Sequence, residues 1–176
     1  MGVSWWWLGE FNVALLAIAL FAAFRWGASP ERASVAILVG MPVADAVYHL
    51  IVDRGAFYQS VDIGHLMIDS LAALSLLALA ANANRIYPLW MAAFQVISVL
   101  AHFAREASVA VAGLAYAYLA YGPFYFELVA LLTGIALHAR RQRRRGTYRS
   151  WRTSSNHSRE PAPKRSLAGS SHASVR

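Results

Sequence analysis

The groups capable of chemistry in this 176-residue chain are aspartates, glutamates and histidines set in apolar sequence. Asp45 and His49 are spaced i, i+4, and Asp62, His65 and Asp69 follow at i, i+3 and i+7. On a helix each set falls along one face. His102, Glu127, and Glu10 with Asn12 lie in other apolar runs. Cysteine is absent, which removes thiolate nucleophiles, cysteine metal sites and disulfides. Imidazole and carboxylate chemistry remains. These groups suit zinc, iron, copper or nickel. His49, His65, His102 and Asp62 make a candidate four-coordinate set. Asp45 with His49, and Asp62 with His65, also pair as an imidazole ligand and its orienting carboxylate. Two opposed histidines would instead ligate a haem. Without a metal, the histidines with Asp45, Asp69, Glu10 and Glu127 form a candidate proton path, because histidine titrates near neutral pH. The simplest alternative is that these side chains join helices, at about 0.6 kcal/mol per hydrogen bond.

The elements that must hold these residues are membrane spans. The chain is 58% hydrophobic and 14% charged, whereas a soluble domain carries about a quarter charged residues. Apolar runs at about 5–24, 33–52, 61–81, 89–104 and 123–138 approach the ~20 residues a span requires. Glu10 and Asn12 interrupt the first run and no basic segment precedes it, so it reads as a span rather than a cleaved signal peptide. The last apolar stretch is too long for one span. Gly122-Pro123 is its natural break, with 109–121 interfacial or half-inserted. The expected fold is an all-α membrane bundle of about five transmembrane helices over 1–139, with a broken last segment.

Residues 140–176 hold eleven of the sixteen Lys and Arg residues and one acid, Glu160; five basic and eight acidic residues precede them. This segment reads as a disordered, basic cytoplasmic tail, with too few apolar residues to fold alone. Arg140, Arg141, Arg143, Arg144 and Arg145 are expected to meet anionic lipid headgroups, at about 1 kcal/mol each near the surface. Nucleic acid is the weaker explanation for a basic segment tethered beside a bilayer. His138 reads as a snorkelling end residue. Five spans with a cytoplasmic C-terminus leave only Arg54 and Arg105 outside. Six spans would move Arg25 and Arg32 outside. The positive-inside rule therefore favours five, with the N-terminus periplasmic.

That topology brings Glu10, His49, Asp62, His65 and His102 to one depth, near the outer face. Nothing comparable gathers in the inner half.

The stretch Asp62-Ile63-Gly64-His65-Leu66-Met67-Ile68-Asp69 is followed by Ala83-Asn84-Arg85-Ile86-Tyr87-Pro88-Leu89-Trp90. Later come Ala115-Tyr116-Ala117-Tyr118, Pro123-Phe124-Tyr125 and His138-Ala139-Arg140-Arg141. Together, over 45–141, they resemble small, uncharacterised multi-pass inner-membrane proteins of sphingomonad-like alphaproteobacteria. The resemblance implies a bacterial inner-membrane location. It implies no activity, cofactor or site.

The first functional expectation is a non-enzymatic membrane protein without a cofactor, which oligomerises or assembles with a membrane-protein partner. The second is a small transporter or proton-handling protein. The third is an enzyme dependent on a divalent metal or haem.

Overall fold

The computed structural model describes residues 6–51, 63–107, 113–146 and 149–152. The described residues form five helices in sequence: α1 (Trp6–Trp26), α2 (Ser29–Ile51), α3 (Ile63–Asn82), α4 (Tyr87–Ala107) and α5 (Gly113–Arg145). Among the described residues four segments are long and apolar enough to cross a membrane: Ser29–Ile51, Ile63–Asn82, Tyr87–Ala104 and Gly122–Arg145. At 1.5 Å per residue, the 21 residues of α1 also reach about 31 Å, close to the thickness of a hydrocarbon core.

Successive helices run up and down, each packed on its chain neighbours. α5 closes the ring against α1 and also touches α2. One end of the bundle carries Arg25, the α1–α2 and α3–α4 connections and Arg140–Arg145. It is called the basic end below, and the other the far end.

Apolar side chains fill the centre. Leu38, Leu76, Met91 and Leu131 from four different helices are fully buried. The outside is apolar as well: Phe21, Leu50, Leu71, Trp90, Phe126 and Val129 are all exposed. A soluble protein rarely presents so continuous an apolar surface, whereas a bilayer solvates one without cost. Both faces of each helix are therefore apolar, and polar residues and small side chains decide which face turns inward. Gly134 shows the second effect. The Tyr87 ring lies directly on its backbone, where a Cβ would collide with it. α4 and α5 meet further along through the stacked rings of Phe94 and Phe126, 5.2 Å apart.

Two expectations are corrected. The last apolar stretch is not broken at Gly122-Pro123. α5 is one 33-residue helix with Pro123 inside it; residues 113–121 are part of it, and its segment apolar enough to cross a membrane is Gly122–Arg145. Proline deletes one backbone hydrogen bond and crowds the carbonyl four residues earlier. Inside a bilayer no water competes for the freed group, and such prolines are tolerated. α2 likewise continues through Pro42. At about 50 Å, α5 exceeds the bilayer core because it runs on through the arginine block.

The second correction follows from this. The boundary at 139/140 falls within α5. Arg140–Arg145 are helical and exposed, and the helix ends at Gly146. There φ is +75°, and the Gly146 N–H bonds the Gln142 carbonyl at 3.0 Å. This is a left-handed C-cap, which glycine adopts without steric cost. Residues 149–152 then return to the α3–α4 connection. Asn84 N–H donates to Ser150 O at 3.0 Å, and Arg152 N–H to Asn82 O at 2.8 Å. The expectation of disorder over 153–176 lies outside the described residues.

Candidate functional site

Among the described residues, ionisable side chains gather in three groups at three depths. The first is at the far end. Asp45 and His49 occupy the last two turns of α2, and His65 the first turn of α3. Asp45 Oδ1 lies 2.7 Å from His65 Nε2 and 3.5 Å from His49 Nε2. The two imidazole rings are 5.1 Å apart, tilted at 54°. Both nitrogens converge on the same carboxylate oxygen, rather than facing each other from opposite sides of a macrocycle. Tyr48 frames the group, its ring 5.3 Å from that of His49 and 5.8 Å from that of His65. Gly64 permits this packing, since a Cβ there would occupy the Tyr48 ring. All three side chains are partly exposed, at 20% for His49, 34% for His65 and 40% for Asp45.

The second group lies one turn deeper. His102 Nε2 of α4 lies 2.9 Å from Asp69 Oδ2 of α3. Gln95 Nε2 donates to Asp69 Oδ1 at 3.0 Å. His102 and Gln95 are buried. Both carboxylate oxygens of Asp69, a half-buried acid, are thereby satisfied. Glu127 of α5 lies within electrostatic range of Asp69. It is fully buried, and neither of its oxygens has a hydrogen-bond partner among the described residues.

The third group, at the basic end, was not anticipated. Glu31 is fully buried in the first turn of α2. The Ala28 N–H donates to its Oε2 at 2.9 Å, the reach-back half of a capping box. Arg85, in the α3–α4 connection, donates to Glu31 Oε1 at 3.2 Å and to His138 Nδ1 at 3.2 Å. Ser34 and Tyr87 extend the network, with Ser34 Oγ 2.9 Å from the Pro30 carbonyl and 3.4 Å from the Tyr87 hydroxyl. His138 is therefore not a snorkelling end residue. It is buried and accepts from an arginine, because α5 continues past it and carries the bundle surface further out. The run Ser29-Pro30-Glu31, a proline in the first turn and an acid at its third position, was the available signal for Glu31.

The far-end convergence expected from the sequence is thus divided. His49 and His65 do meet, but their carboxylate partner is Asp45. His102 is bound to Asp69 instead. Four residues along a helix overshoot a full turn by about 40°, so α3 directs His65 towards α2 and Asp69 towards α4. Asp62 lies outside the described residues. Glu10 is exposed on α1, which packs on α2 and α5.

Arg140, Arg143 and Arg144 edge a groove between α1 and α5 at the basic end. Its floor is apolar, formed by Ala22, Leu132, Ile135 and Ala136, and Trp26 closes one side. No protein-family model, curated protein or solved structure matches the chain.

Proposed function

We propose that this is a non-enzymatic protein of the bacterial inner membrane. Its buried polar side chains hold the helices together so that it can assemble with itself or with a membrane-protein partner. One observation carries the reading: among the described residues the polar groups other than Glu127 are engaged across helices. Asp45 with His65 joins α2 to α3. Asp69 with His102 and Gln95 joins α3 to α4. Glu31, Arg85 and His138 tie α2 to α5 through the α3–α4 connection. Lipid tails offer helices no hydrophobic reason to associate, so such contacts supply the specificity of packing.

The basic end lies in the cytoplasm under the positive-inside rule, which puts the N-terminus in the periplasm. The groove edged by Arg140, Arg143 and Arg144 takes an anionic lipid headgroup, with an acyl chain along its apolar floor.

Proton handling is the second reading, favoured by Glu127, a buried carboxylate without a hydrogen-bond partner among the described residues. Against it, the buried core among the described residues is apolar, with Leu131, Met91 and Leu38 in it.

Liposomes carrying the wild type and Asp69→Asn separate the two. The assembly reading expects no pH-driven flux from either protein, and a lower melting temperature for Asp69→Asn in detergent. Flux in the wild type, lost in a folded Asp69→Asn, would replace it with the second reading. Reporter fusions at the C-terminus test the orientation, and a periplasmic C-terminus would reverse it.

A further inference from the structure

The far-end triad has the chemistry and size of a cation site. Asp45, His49 and His65 each offer one donor atom, and the three atoms lie within 4.8 Å of one another. Zinc-like ions bind imidazole nitrogen and carboxylate oxygen at about 2.0–2.2 Å. At a tetrahedral angle, neighbouring donors are then about 3.3 Å apart. The Asp45–His49 separation of 3.5 Å is already near this value. The Asp45–His65 separation of 2.7 Å is a close ion-pair contact, without a hydrogen bond to Asp45 Oδ1. It must widen by about 0.6 Å to admit an ion at that bond length. The side chains are partly exposed, so a small rotation suffices.

Other features of the site agree. Two helices supply the ligands, two of them one turn apart on α2, so the triangle is set by backbone rather than by a loop. The Tyr48 ring, seated on Gly64, contacts both imidazoles and limits their rotation. Partial exposure provides an entry path and room for water to complete the coordination shell. Two neutral imidazoles and one carboxylate oxygen match a borderline transition-metal dication rather than calcium or magnesium, which prefer oxygen-rich shells.

We propose that Asp45, His49 and His65 bind one divalent transition-metal ion at the far end of the bundle, fastening α2 to α3. In the metal-free arrangement both imidazoles lie against Asp45 Oδ1, a buried oxygen with no hydrogen-bond partner among the described residues. Asp69 and His102 are outside it, since they are engaged with each other one turn deeper. The inference is independent of the assembly reading.

The test is a Co2+ titration of chelator-stripped full-length protein in detergent, read by visible absorbance, with Zn2+ as competitor. Wild type and His102→Ala are expected to bind one equivalent per chain, displaced by Zn2+. His49→Ala and His65→Ala are expected to lose stoichiometric binding while keeping their helical circular dichroism. Asp45→Asn preserves the shape of the site and removes its charge. It is expected to weaken binding clearly, and it decides the matter if an alanine variant fails to fold. Folded wild-type protein that takes up no Co2+ or Zn2+ would overturn the proposal. So would one equivalent retained at unchanged affinity in Asp45→Asn, or in both histidine variants.

Discussion

Replacing Arg85 with methionine should be among the most damaging single changes in the molecule. Its side chain is 5% exposed, and that of its partner Glu31 is 0%. Removing one member of a buried ion pair leaves an uncompensated charge, at a typical cost of about 3–5 kcal/mol. The two directions are unequal. Arg85→Met leaves Glu31 held by the Ala28 N–H, with its side chain fully buried. This change belongs at the upper end, about 4–5 kcal/mol. Glu31→Leu leaves Arg85, which lies near the bundle end and can extend towards water. It also deprives the Ala28 N–H of its acceptor, a capping loss of about 1 kcal/mol. Its expected total is about 3 kcal/mol. The double variant removes both charges and replaces them with apolar groups of similar volume, a change that is often neutral. Only the capping loss and some packing remain, about 1–2 kcal/mol. The double variant should therefore be more stable than either single variant. Reversible unfolding in mixed micelles, followed by circular dichroism at neutral pH, measures all four corners of the cycle. Arg85→Met costing less than about 1 kcal/mol, the range of an exposed pair, would refute the reasoning. A double variant as unstable as the sum of the singles would refute it equally.

Two further predictions concern single contacts. Gly134→Ala drives a methyl group into the Tyr87 ring and should cost about 1–3 kcal/mol by overpacking. Gly40→Ala, where a Cβ meets nothing within 4 Å, should instead gain up to about 1 kcal/mol from helix propensity. Detergent melting curves that failed to separate the two would mean that α4 and α5 do not approach as described. Glu127→Met removes a buried carboxyl group with no partner among the described residues. It should raise stability by about 1–3 kcal/mol, the cost of burying such a group. A fall in stability would show that Glu127 makes a contact the structure does not describe.

Much of this architecture follows from sequence-local physics. Apolar runs of about 20 residues, punctuated by Gly27-Ala28, Asp53-Arg54-Gly55 and the polar stretch around Asn84, determine helices that cross a bilayer. The i, i+4 spacing of Asp45 and His49 places them on one face wherever that face points. Relative depth is equally local, since it depends only on counting residues from the span ends. It brought His49 and His65 together correctly, with no knowledge of neighbours.

What depth counting cannot supply is rotation about each helix axis. Every face of these helices is largely apolar, so hydrophobic periodicity carries almost no information about which side turns inward. Only packing decided that His65 meets Asp45 while His102 meets Asp69, although a single turn of α3 separates the two partnerships. Packing also decided that α5 passes straight through Pro123. The proline removes one hydrogen bond, and the sequence cannot weigh that loss against the contacts α5 makes with α4 along its length. The Glu31–Arg85–His138 network joins residues more than fifty positions apart, each of which reads by itself as an ordinary interfacial charge. Sequence alone determined a helical membrane protein with a basic end. The tertiary structure decided which of its charges are buried and with whom, because burial belongs to surfaces that meet only once the helices have chosen their faces.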